Sequence, residues 1–149
     1  SGVEGTSGAK TVGFIGGMDE TVPIQEFFVG YIQGAKYFDP DTKIVYNYVG
    51  AWNDPDTART QALTQYNDAG ADVIFACAGG SGNGVHTAAA EVGKYVIGVD
   101  SDQSLMYTED PDIQKGCGAC GCRGGSGILQ CLLRVSDPGI GDAEGRGAF

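Results

Sequence analysis

A chain of 149 residues with 19 acidic against 9 basic side chains carries a formal charge of −10. That length is enough for one domain with a real core, and that charge argues against nucleic acid or an anionic membrane surface as partner. No apolar run nears the ~18 residues needed to span a bilayer. The opening SGVEGTSGAK lacks the basic-then-apolar pattern of a secretion signal, so a mature or trimmed start is expected.

Residues 1–10 are small and polar and read as a loose arm or linker. Thr11 to Ile15 is a short apolar strand closed by Gly16-Gly17, and Met18 to Thr21 forms a loop. Pro23 suits the first turn of the helix that follows. Ile24, Phe27, Phe28, Tyr31, Ile32 and Ala35 repeat at helical spacing and predict one buried face. Asp39-Pro40-Asp41 ends that helix. Lys43 to Val49 is a second strand, rich in β-branched and aromatic residues. Asp54-Pro55 reads as N-cap and first helical position, with Ala58, Ala62, Leu63 and Tyr66 inward and Gly70 as the stop.

The stretch VIFACAGGSGNGV, residues 73–85, organises the chain. Val73 to Cys77 is apolar without alternation, which suits a strand covered on both faces. Cys77 reads as a small buried thiol. Gly79 and Gly80 let the backbone turn and approach a ligand closely, and Ser81 or Asn83 can cap the next helix. That helix points Val85, Ala88, Ala89 and Val92 inward and ends at Gly93; Tyr95 to Val99 is a fourth strand ending at Asp100. Strands beginning near 11, 43, 73 and 95, with one helix between each pair, predict a three-layer α/β fold. It has a parallel sheet of four or five strands and helices on both faces.

Every loop after a strand then emerges on one edge of the sheet, where such folds hold small molecules. Those loops are Gly16-Gly17-Met18, Gly50-Ala51-Trp52-Asn53, Gly79-Gly80-Ser81 and Asp100-Ser101-Asp102. Trp52 offers a flat apolar face and Asp100 a carboxylate able to accept two hydroxyl hydrogen bonds. The set suits an aromatic base joined to a hydroxylated sugar; base stacking on an aromatic ring is worth roughly 1–3 kcal/mol. The plainer readings are that Trp52 covers a helix end and Asp100 caps a turn. Asp102 reads as solvated, Tyr46 and Tyr48 as packing residues, and His86, the only histidine, as a solvated surface residue. There is no G-x-S-x-G, Walker loop or zinc-binding histidine pair, so no catalytic or metal site and no cofactor is expected.

Past Asp112 the pattern dissolves. Residues 117–149 hold nine glycines and the four cysteines Cys117, Cys120, Cys122 and Cys131. Their charges cancel, with Arg123, Arg134 and Arg146 set against Asp137, Asp142 and Glu144. Zinc or iron–sulfur binding by these cysteines is the minor reading, because the spacing is irregular.

Five segments in order carry a resemblance: GFIGGMD (13–19), GYIQGAKYFDPD (30–41), NYVGAWNDP (47–55), YNDAGADVIFACAGGSGNGV (66–85) and KYVIGVDSDQ (94–103). Together they resemble the BMP family, the basic membrane lipoproteins or PnrA-like substrate-binding proteins of bacterial ABC transporters, over about residues 10–116. The resemblance implies a flavodoxin-like lobe of a type I periplasmic binding protein, the first part of the C-terminal one. It implies a purine nucleoside or related ligand, an ABC permease as partner and an extracytoplasmic setting. It places Trp52 where the family stacks a phenylalanine on the base, Gly79 at a backbone contact and Asp100 at the ribose carboxylate, with Gly80 beside Gly79 in the floor. After Gly116 the family's T-S-x-x-K segment is replaced by CGACGCRGGSGILQCLL, which reads as a shifted frame or truncated product. The expected function is therefore a nucleoside-binding lobe with a half-site, non-catalytic, with a homodimer through the cleft face as a further expectation. The alternative is a stand-alone flavodoxin-like enzyme or regulator that binds a phosphorylated small molecule at the helix starting near Asn83.

Overall fold

A computed structural model of the chain describes residues 8–101 and 103–114. Four parallel strands, β1 (Thr11–Gly16), β2 (Lys43–Tyr48), β3 (Val73–Cys77) and β4 (Tyr95–Ile97), form one sheet in the order β2-β1-β3-β4. Helices α1 (Val22–Phe38), α2 (Pro55–Asn67) and α3 (Gly82–Val92) link them, with 3₁₀ turns at Gly79–Ser81 and Gln103–Tyr107. Register is set by pairs such as Thr11 with Lys43, Val12 with Val73, and Val73 with Tyr95.

The two inner strands are buried along their whole length, which is why neither alternates in sequence. Their side chains still alternate between two cores. Val12, Phe14, Val73, Phe75 and Cys77 pack with Ile24, Tyr31 and Ala35 of α1. Ile15, Ile74 and Ala76 pack on the other face with Ala58, Ala62 and Tyr66 of α2 and Val85, Ala88 and Ala89 of α3. After β1 the chain crosses to β2; later crossovers run the other way, to β3 and β4. Right-handed connections in opposite directions put α1 on one face and α2 with α3 on the other. The sheet therefore has its switch point between β1 and β3, where a crevice opens at the strand ends.

Local chemistry fixes the helix ends. The Asp54 carboxylate accepts from Thr57 N at 3.0 Å and from Thr57 Oγ1 at 2.7 Å, which holds its pKa below the usual carboxylate range. Gly93 closes α3 in the left-handed conformation. The fully buried Asp72 pairs with Lys94 Nζ at 2.7 Å and ties the start of β3 to the start of β4.

Several expectations need correcting. Phe27 is 46% exposed, because the sheet under α1 covers only the stripe through Ile24, Tyr31 and Ala35. His86 is completely buried, because the turn at Gln103–Tyr107 folds over it. Ser81 makes no cap hydrogen bond. Strand β4 stops two residues early, since Val99 N turns out of the ladder to donate to Gln103 Oε1. Lys10 is anchored rather than loose; its ammonium pairs with Asp39 at 2.7 Å and its carbonyl accepts from Lys43 N. Residues 1–7 of the expected arm, Asp102 and the cysteine-rich tail with its metal and frame-shift readings lie outside the described residues.

Candidate functional site

The loops that follow β1, β2 and β3 are stitched together at the switch point. Gly17 N donates to Cys77 O at 3.0 Å, joining the ends of β1 and β3. Gly50 N donates to Gly17 O at 2.8 Å, bringing in the β2 loop. Ser81 is the central clamp between the β2 and β3 loops: its amide donates to Trp52 O at 3.1 Å. Its hydroxyl donates to Ala51 O and accepts from Asp54 N, both at 2.8 Å. These two bonds turn the buried hydroxyl toward the β2 loop, and it makes no cap bond to α3.

Trp52 lies across this crevice. A Cβ at Gly17 would collide with the six-membered ring of its indole, so only glycine lets the ring come down onto the β1 loop. Gly79, at φ +55°, passes beneath the same side chain, and a Cβ there would stand 3.4 Å from indole Cε3. Gly80 continues the floor against Trp52 O and the Asn53 side chain. Trp52 is 43% exposed, and part of its indole is seated on glycine backbone. Asp100 is exposed at the end of the neighbouring strand, with φ +68°. Burial, and then the nearby Asp100 charge, push the Cys77 thiol up to about 12, so Cys77 is an inert structural thiol.

The four singled-out residues thus stand on one edge: Trp52, Gly79 and Gly80 are in contact range of one another, and Asp100 follows β4, with its charge felt by Cys77 at the end of β3. Sequence reasoning missed two contributors, Gly17 as the seat of the indole and Ser81 as the clamp. The paired glycines 16 and 17 were the available signal for the first; nothing local marks the second.

The start of α3 does not offer an open anion cradle. Gly82 N is bound by the carbonyls of Gly79 and Gly80, and Ser81 N by Trp52 O and Ala78 O. Gly84 is pressed against the Pro55 carbonyl of α2, and Asn83 Oδ1 accepts from Tyr107. The phosphate-binding alternative is therefore not favoured. A separate open groove of about 440 Å³ runs along α1, lined by Pro23, Glu26, Phe27, Gly30, Tyr31 and Phe75, and none of the four residues lines it. Among the described residues no cluster of histidine, cysteine and acidic side chains has the makings of a metal site. Among the same residues no helix is long and apolar enough to cross a membrane.

A three-layer parallel sheet with its glycine, aromatic and carboxylate loops at one edge falls in the class of open α/β folds that carry ligands there. Within that class, residues 6–111 match the sequence profile of the Bmp family, described as ABC transporter substrate-binding protein PnrA-like, and the chain belongs to that family. It is 46% identical over 97 residues to basic membrane protein D of Borreliella burgdorferi strain JD1, covering 64% of this chain and 28% of that protein. It is 38% identical over 116 residues to the ABC transporter nucleoside-binding protein BmpA of Lactococcus lactis subsp. cremoris strain MG1363, covering 71% of this chain and 32% of that one. Basic membrane protein A of Borreliella afzelii is 40% identical over 97 residues. The chain thus spans about a third or less of the length of these relatives.

Proposed function

We propose that this chain contributes one wall of a nucleoside-binding site in an extracytoplasmic substrate-binding protein that serves an ABC permease. The protein binds and releases its ligand without a chemical step. The observation that carries the reading is the seating of Trp52 on Gly17 and Gly79 at the switch point, with the Asp100 carboxylate on the same edge. In this reading the exposed part of the indole stacks on the base. The backbone of Gly79 and Gly80 forms an uncharged floor, and Asp100 accepts hydrogen bonds from two ribose hydroxyls. The similarity to a nucleoside-binding relative supports the ligand class.

The described residues form one side of a cleft, so a nucleoside placed on Trp52 keeps its other face in water. Affinity of the chain alone is then millimolar or weaker, about 4 kcal/mol or less. Calorimetry with adenosine, inosine and guanosine tests this. Heats fitting a millimolar or weaker constant, lost in Trp52→Ala, are expected; micromolar binding by the monomer, or binding untouched by Trp52→Ala, refutes the proposal. A second copy facing the same edge would cover the open face of Trp52. Sedimentation at high concentration should then show a dimer, and a clean monomer contradicts that part.

A further inference from the structure

Two side chains outside the proposed ligand surface converge on the segment that carries Asp100. The positive φ of Asp100 is a backbone conformation that residues with a Cβ adopt rarely. Ser101 N closes a three-residue turn across it by donating to Val99 O at 2.8 Å. Such strain persists where the surroundings hold it. Here the holding group is Gln103. Its Oε1 accepts from Val99 N at 3.0 Å and lies 3.2 Å from His86 Nε2. A carboxamide oxygen has no proton to give, so His86 donates and its neutral ring carries the proton on Nε2. The carboxamide also fills the space beside Gly98, where a Cβ would strike it.

His86 is a rigid base for this contact. It is fully buried on α3, with the Tyr107 ring centroid 5.1 Å from its own. The Tyr107 hydroxyl donates to Asn83 Oδ1 at 2.8 Å and pins the other end of the same turn to α3. Gln103 thereby links a buried helix to the amide of Val99, the residue immediately before Asp100.

We infer that Gln103 is the positioning residue of Asp100, anchored by His86, and that the pair fixes the turn in which the carboxylate meets two neighbouring hydroxyls of a ligand. The inference rests on the proposed role of Asp100. It concerns geometry at the hydroxylated end of the ligand and not at the stacked end, and this makes it separable from fold stability.

The test compares adenosine with 2′,3′-dideoxyadenosine, which lacks both hydroxyls, in chemical-shift titrations of the full chain. Asp100→Ala and Gln103→Leu should each weaken adenosine about fivefold and leave dideoxyadenosine unchanged. The double variant should be no weaker than Asp100→Ala alone. Gln103→Glu keeps an acceptor for Val99 and should recover most of the loss. If Gln103→Leu does not fold, Gln103→Asn, one methylene shorter, carries the same comparison. Equal weakening of both ligands, full additivity with Asp100→Ala, or no effect on adenosine where Asp100→Ala has one overturns the inference. No effect of Asp100→Ala on adenosine instead removes the ligand role of Asp100, a failure visible separately from that of Gln103.

Discussion

His86 makes the chain sensitive to mild acid in a window of its own. Burial beneath the Gln103–Tyr107 turn pushes its pKa down from 6.5 to about 4, while the hydrogen bond to Gln103 opposes the shift and loses. The folded protein therefore keeps the ring neutral well below the pH at which the unfolded chain takes up its proton. Between about pH 6.5 and 4 the unfolded chain binds more protons, so stability falls as pH falls. Over the whole window the loss is on the order of 3 kcal/mol. Set against a total of about 5–15 kcal/mol for an ordinary domain, that is a large fraction. Asp39, Asp54 and Glu91 have pKa values held below their ordinary carboxylate range by hydrogen bonds, to Lys10, Thr57 and Arg59 respectively. Their stabilisation is present above the ordinary carboxylate pKa and is lost only at lower pH, below most of the histidine window. Urea unfolding at steps from pH 7.5 to 4.5 measures the slope, and His86→Gln, which keeps a donor toward Gln103 and does not titrate, isolates it. The wild type should weaken steadily below pH 6.5 and the variant should stay flat. Equal stability of the wild type at pH 7 and pH 4.5, or the same slope in the variant, refutes the reasoning.

Three substitutions test other parts of the structure. Gly17→Ala puts a methyl group where the indole sits, so Trp52 must leave its seat. Nucleoside affinity should fall about as far as in Trp52→Ala, tenfold or more, while the urea midpoint changes little; calorimetry beside a melt separates the two. Lys94→Ala leaves the buried Asp72 carboxylate without its cation and should cost about 3 kcal/mol in urea unfolding. Asp54→Ala removes the cap of α2 and should cost about 1 kcal/mol in the same assay.

Much of this fold is legible from local chemistry. The apolar run Val73–Cys77, the pair Asp54-Pro55 and the stops at Gly70 and Gly93 each encode their element within a few residues, and the four strand starts fall where they were read. The loops that carry Trp52, Gly79, Gly80 and Asp100 follow from strand polarity alone, since parallel strands end on one edge. What escapes the sequence is decided by contacts between distant segments. His86 sits beside an apolar stripe and looks solvated until the turn 17 residues later covers it. Ser81 reads as a cap until the β2 loop, 30 residues earlier, claims its hydroxyl. Phe27 shares the period of the buried face of α1, but a helical period gives the direction of that face and not its width.

Trp52 is the only tryptophan, so its indole N–H gives a single resonance that reports directly on the proposed stacking surface. Titration of the chain with adenosine should move that resonance along a saturable millimolar curve, and ribose or inorganic phosphate should leave it in place. An indole resonance that ignores adenosine to the limit of its solubility, or that answers phosphate instead, contradicts the assignment of this edge as a nucleoside-binding wall.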